Sequence, residues 1–256
     1  MGRGRAIVVC GDSKQMPPTS FAELTRDDED DDRPVDEESI LSECVAAHVP
    51  RKWLMWHYRS QDESLIAFSN TRYYQGKLFS FPSPISGTVN HAPEGFGVSM
   101  RRVNGHFLRS IPRGESRRLF RTNPVEAQAI VDEIRHRFDR RPAPSLGVVT
   151  FNIQQRDLIE HKLRELDDPN ITASLESDDG IFVKNLENVQ GDERDTILFS
   201  IAFSADQNGE VPLNFGPLNR SGGERRLNVA ITRARKEVIL FSSFAPSALH
   251  AERSQC

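Results

Sequence analysis

The chain has 256 residues, 37% of them hydrophobic, enough for a substantial core in one large or two small domains. No apolar run approaches the ~18 residues that span a bilayer, the opening Met1-Gly2-Arg3-Gly4-Arg5 lacks a signal-peptide core, and Ala6 removes a myristoylation signal. The net charge of −4 is uneven: residues 23–38 carry ten acids against Arg26 and Arg33, whereas residues 101–141 carry eleven arginines against five acids, a pattern that suits either a polyanion partner or a solvated arginine-rich surface.

Residues 5–10 predict a short buried strand, and Gly11-Asp12-Ser13-Lys14-Gln15-Met16-Pro17-Pro18 a loop leaving its C-terminal end, where open α/β sheets bind ligands. A plain Gly-Asp turn closed by Pro-Pro is the other reading. A buried strand with no partner before it leads us to expect a piece of a larger protein. The acidic run 23–38 predicts a mobile linker rather than a metal site, because metals in phosphate chemistry use one or two carboxylates fixed at a strand end. A helix follows over 39–47, with Ile40, Leu41 and Cys44 on one side. Trp53 and Trp56 predict core packing. Tyr58-Arg59 lies between that apolar stretch and a helix carrying Leu65, Ile66 and Phe68; it suits a phosphate clamp, with packing as the alternative.

A strand is expected over 97–103. Asn123 then caps a helix with Pro124 at its first position and Val125, Ala129, Ile130, Ile134 and Phe138 on one face. Strands follow at 146–150, 181–183, 197–201 and 238–242, with a helix after the first that buries Leu158, Ile159 and Leu163. This alternation predicts an α/β fold with a mostly parallel, doubly wound sheet. Two polar stretches stand out. Residues 187–195 (Glu-Asn-Val-Gln-Gly-Asp-Glu-Arg-Asp) discharge straight into an apolar strand, and residues 225–235 precede another, so their polarity is read as spent on one shared ligand. On a helix, Arg226, Ala230 and Arg233 fall at i, i+4 and i+7 beside the apolar stripe Leu227, Ile231 and Ala234, which would offer guanidinium groups to a phosphate. Cys10, Cys44 and Cys256 lie far apart without metal-ligand spacing, which points to a reducing, cytoplasmic setting and to no metal site.

Taken together, the motifs resemble those of superfamily 1 helicases. Residues 11–18 resemble motif III, His57-Tyr58-Arg59-Ser60 the Gln-Tyr-Arg motif that follows it, residues 148–155 motif IV, residues 189–195 motif V and residues 227–235 motif VI. The nearest branch contains the nonsense-mediated-decay RNA helicase and its bacterial relatives. The resemblance implies a RecA-like fold of the P-loop NTPase kind, serving as the second helicase domain, with helices on both faces of its sheet and no P-loop of its own. It implies ATP held with Mg²⁺ between two RecA-like domains in the full-length protein, and a single strand of DNA or RNA as partner. Arg233 would be the arginine finger with Arg59 beside it, Gln15 the γ-phosphate sensor, Glu193 the ribose ligand, Gly191 a point of backbone access and Tyr58 a flank to the base. Thr150, Gln155, Asn185 and Gln190 would approach the strand. The sequence departs from the family at Asn185, where Thr is common, at Phe151-Asn152, where Pro-Tyr is common, and at His57, which replaces Gln and receives no role. No Gly-x-x-x-x-Gly-Lys-Ser/Thr and no strand-borne Asp-Glu pair occurs. The expected layout is a first-domain remnant over 1–22, the linker over 23–38, the second helicase domain over 39–248 and a tail over 249–256. The isolated chain is expected to hydrolyse little or no ATP. The rival reading is an ATP-gated nucleic-acid-binding or scaffold module that separates no strands.

Overall fold

The computed structural model describes residues 5–16, 39–83, 95–111, 114, 116–140, 144–205, 210–211 and 213–249. The contacts divide the chain into two units, 1–54 and 55–256. In the first, residues 5–10 are extended but form no strand, with Ile7 56% and Val8 86% exposed, against the buried strand expected from their composition. An apolar run becomes a buried strand only beside other strands, and no described residue pairs with it. Asp12 organises the turn that follows, accepting from the Lys14 backbone N–H and from Gln15 Nε2, both at 2.9 Å. Helix α1 (Ile40–Ala46) starts at Ser39, whose Oγ accepts from the Ser42 N–H. This helix groups with the first unit, which ends at Leu54. The expected linker and most of the expected tail lie outside the described residues.

The second unit is built on a five-stranded, wholly parallel sheet in the order β3 (Gly97–Arg102), β7 (Ala234–Ser242), β6 (Arg194–Ser200), β4 (Leu146–Thr150), β5 (Phe182–Asn185). Alternate residues face opposite sides. Val148, Leu198 and Ile239 lie in register and pack into one core with Ile130, Ile134, Leu158, Leu163 and Ile171 from α3 (Pro124–Arg140), α4 (Ile153–Glu165) and α5 (Pro169–Glu176). The opposite face carries α2 (Ser64–Tyr73) and α6 (Gly223–Ile231), which contact each other. The doubly wound α/β fold expected from the sequence is therefore the one observed. Burial on both faces explains why β4 and β6 read as near-continuous apolar runs.

Two local expectations are corrected. Trp53 and Trp56 are surface residues, 61% and 57% exposed. Trp56 lies on β1 (Trp56–His57), which pairs over two residues with β2 (Phe79–Ser80), and its ring packs on Phe79 and Phe81 at centroid distances of 5.6 and 5.4 Å. On α3 the buried face includes Ala127 and Val131, while Val125 is 50% exposed, because Glu126 rather than Val125 turns inward. Among the described residues no helix is long and apolar enough to cross a membrane.

Candidate functional site

Strand β5 ends at Asn185 on one edge of the sheet and the parallel strand β6 begins at Arg194 on the other, so residues 186–193 must run back along the strands. Leu186 and Val189 are fully buried and pin this segment. Gly191 then turns at φ +92°, a left-handed conformation that favours glycine. The result delivers Glu193 to the edge where β6 and β7 start. Helix α6 reaches the same edge from the other side. Its last turn is closed by Thr232, whose Oγ1 donates to the carbonyls of Asn228 and Val229.

Arg233 therefore stands beyond the helix, and the expected i, i+4, i+7 face does not form as a whole. The Arg233 carbonyl accepts from the Arg194 N–H at 3.2 Å, which draws the chain into β7, and Ala234 is already a strand residue. Arg226 remains on α6 and spends its guanidinium on the carbonyls of Ser221 and Pro217, with Glu187 at 3.7 Å.

Arg233, Arg59 and Glu193 are brought together at the strand starts. Arg233 is only 3% exposed; its Nε donates to the Val229 carbonyl at 2.8 Å. Among the described residues it has no carboxylate within ion-pair distance. Burial and the neighbouring Arg59 guanidinium push its pKa down to about 10, with Glu193, Asp192 and Tyr74 opposing, so the group stays cationic at neutral pH. Arg59 Nε donates to Glu193 Oε2 at 2.7 Å and its Nη1 donates to the Thr232 carbonyl at 3.5 Å. That bond holds the Glu193 carboxyl below its usual range. Arg235 adds a third guanidinium, 3.9 Å from Glu193 and ion-paired with Asp195 at 2.8 Å. Three guanidinium groups against the two carboxylates Glu193 and Asp195 leave the cluster with excess positive charge, an arrangement that can receive an anion.

His57, given no role in the sequence reading, belongs to this cluster. Its Nε2 accepts from the Ser60 N–H at 3.2 Å, and the Ser60 hydroxyl reaches the Ala234 carbonyl at 3.4 Å, tying the segment to the start of β7. Burial, Arg59 and Arg233 lower its pKa to about 4, so it is neutral and adds no charge. The spacing of Arg235 from Arg233 was a usable signal, because alternate residues at a strand start share a side of the sheet.

The other expected site residues are distributed differently. Tyr58 is 76% exposed beside the cluster in sequence. Gln15 belongs to the first unit. Gln190 is exposed on the returning loop, whereas Thr150, Gln155 and Asn185 lie at the opposite edge of the sheet, buried. Thr150 Oγ1 donates to the Asn152 carbonyl at 2.7 Å. Gln155 receives the Asn123 N–H at 2.8 Å and donates to Ser200 Oγ at 3.1 Å. Both side chains are spent on the fold.

The motifs that converge on this edge correspond to a family match: the family described as AAA domain matches residues 37–244. The chain belongs to this family. Its members form the C-terminal region of superfamily 1 helicases. The chain is 31% identical to the "uncharacterized ATP-dependent helicase MG140" of Mycoplasma genitalium over 259 residues and 31% identical to the homologous protein of Mycoplasma pneumoniae over 261 residues, in each case covering 94% of this chain. It spans about a fifth (21%) of the length of those relatives. The solved C-terminal domain of a possible DNA helicase from Lactobacillus plantarum WCFS1 matches 64% of this chain and 86% of its own length, at 14% identity and a TM-score of 0.35.

Proposed function

We propose that this helicase region supplies one wall of an ATP site in an ATP-dependent nucleic-acid helicase or translocase, the other wall being a P-loop domain of the same polypeptide. The observation that carries the reading is Arg233: a buried guanidinium held by a backbone carbonyl, charged at neutral pH and given no carboxylate partner among the described residues. Burying such a charge is costly unless an anion completes it. A triphosphate does so. Arg233 then acts as an arginine finger on the transferring phosphoryl group, with Arg59 beside it.

Glu193 holds Arg59 in the absence of nucleotide and, with ATP present, turns one oxygen to the ribose hydroxyls. Tyr58 flanks the base and Gly191 gives backbone access; by the resemblance Gln15 is the γ-phosphate sensor. The segment's partner is a single strand of DNA or RNA. Asn185 and Gln190 are its nearest candidate contacts, and Thr150 and Gln155 act through the backbone they hold. ATP brings Mg²⁺ with it, but this chain has neither a P-loop Ser/Thr nor a strand-borne Asp-Glu pair to hold the ion. The chain by itself therefore hydrolyses little or no ATP. The free thiols Cys10 and Cys44 support a cytoplasmic setting.

The test is single-turnover ATP hydrolysis by the full-length polypeptide with and without single strands. Arg233→Ala lowers the rate by roughly 10³ to 10⁵, while ATP affinity changes far less. Wild-type rates in that variant would refute the assignment, and strand-stimulated hydrolysis that never displaces a strand would favour a gated binding module.

A further inference from the structure

Thr150 and Gln155, expected to meet nucleic acid, are buried and carry no charge, whereas exposed cations lie nearby on the same edge. In sequence, residues 106–121 carry five arginines against Glu115 alone. The described part of this segment is fixed to the sheet edge. Leu108 and Thr122 form an antiparallel bridge, with the Leu108 N–H donating to Thr122 at 2.7 Å and the Arg121 N–H to Leu108 at 2.8 Å. That register sets Arg109 opposite Arg121. A 3-10 turn at Arg117–Leu119, capped by Ser116, packs on α4, and Arg118 bonds His161 of that helix. Asn152, the N-cap of α4, donates to the Arg121 carbonyl at 3.3 Å.

Charge accounting distinguishes these arginines from those already spent on carboxylates. Arg101, Arg137, Arg156, Arg164 and Arg235 are each paired with a carboxylate. Arg109, Arg117, Arg118 and Arg121 are exposed and form no ion pair among the described residues. The N-termini of α3 and α4 meet beside them, joined through Asn123 and Gln155, and add the positive ends of two helix dipoles. Phe120 lies between Arg118 and Arg121 with 40% of its surface exposed. Guanidinium groups alternating with an exposed ring are what a single strand requires: cations for phosphates and a flat apolar face for a base.

We propose that Arg109, Arg117, Arg118 and Arg121, with Phe120 as a stacking platform, bind single-stranded nucleic acid along the C-terminal edge of the sheet, opposite the Arg59–Glu193–Arg233 cluster. The inference rests on the helicase reading for the class of ligand; its residues come from the geometry. The strand lies across the bridge, phosphates on the four guanidinium groups, one base on Phe120. Nothing in this contact reads sequence.

The experiment is fluorescence anisotropy of the 256-residue chain with matched single-stranded DNA and RNA oligonucleotides and a duplex, over a range of salt. Replacing the four arginines by glutamine lowers the slope of log affinity against log salt by about 3, from about 0.7 per phosphate contact. Phe120→Ala leaves the slope unchanged and weakens single-strand binding about tenfold. The control replaces the exposed Arg72, Arg135, Arg140 and Arg220 by glutamine, removing the same charge elsewhere. An equal slope loss in the control, an unchanged slope in the first variant, no single-strand binding by the wild type, or a Phe120→Ala effect as large on duplex as on single strands overturns the proposal. The ATP reading is judged separately, by hydrolysis in the Arg233 variant, so either can fail alone.

Discussion

Replacing Glu126 by glutamine should remove a specific pH dependence of stability. Glu126 is fully buried in the first turn of α3. One oxygen accepts from Ser200 Oγ and from the Ala202 N–H, both at 2.7 Å, and the other from Ser243 Oγ at 3.3 Å. Burial raises its pKa from about 4.5 to about 7, with those hydrogen bonds opposing. A carboxyl whose folded pKa is raised binds its proton more tightly in the folded state, so its contribution is fully present below the unfolded value and is lost as pH rises through the folded one. At about 1.36 kcal/mol per unit, the loss between pH 4.5 and 7 is about 3 kcal/mol. Glutamine keeps the shape and the acceptor for Ser200 and Ala202 and cannot ionise. Urea unfolding followed by circular dichroism should show the variant gaining on wild type as pH rises from 5 to 8, the difference growing by about 2.5 kcal/mol. A difference that is flat across that range would refute the reasoning, since other titrating groups cancel in the comparison.

Arg137 ties α3 to two strands, bonding Glu133 at 2.7 Å, Glu237 at 2.8 Å and Thr196 at 3.0 Å. Burial pushes the Glu133 carboxyl up, yet its bonds from Arg137 and Arg101 hold it below the usual range. Arg137→Ala should cost about 3–5 kcal/mol in urea unfolding, and adding Glu133→Gln and Glu237→Gln should recover much of it; no recovery would show that unpaired charge is not the cause. Gly147 pairs across the sheet with Phe182, and a Cβ there would come within 2.3 Å of its ring. Gly147→Ala should cost about 1–3 kcal/mol by thermal or urea unfolding, and Phe182→Leu in the same chain should restore most of it.

Elements buried on both sides were legible because burial leaves a strong trace: the apolar runs of β4, β6 and β7, and the face of α4 carrying Leu158, Ile159 and Leu163. The Asn123 cap was equally visible, its Oδ1 accepting from the Glu126 N–H at 3.2 Å. Residues 5–10 misled because strand propensity describes a side chain's fit to a sheet, and says nothing of whether a neighbour is there. At the site, the guanidinium groups were legible by type and the helix end was not. Arg233 leaves the helix because Thr232 bonds back to Asn228 and Val229, a choice a local pattern leaves open. Thr150 and Gln155 were assigned to the nucleic acid by resemblance to motif IV, and local sequence leaves open whether such a side chain faces a ligand or the fold. Only tertiary packing shows that Gln155 closes onto Asn123 and Ser200.

The two edges are linked by the same pair of strands. β6 starts beside Glu193 and ends at Ser200; β7 starts after Arg233 and ends just before Ser243. Ser200 and Ser243 both bond Glu126, Ser200 also bonds Gln155, and Gln155 bonds Asn123, so the far ends of both strands are locked to α3 and α4. From α4 the path continues through Asn152 to Arg121. Coupling between ligands needs an element with two arrangements whose balance both ligands shift. This network is a poor one, because opening it would strand several buried polar groups, each costing about 1–3 kcal/mol. A nucleotide at the strand starts and a nucleic acid at the strand ends would therefore act on one stiff body. On the proposed function, the bistable step would then belong to movement of that body as a whole, and Glu126→Gln, which keeps the body closed, should alter its stability with pH while leaving single-strand affinity at neutral pH within about twofold of wild type.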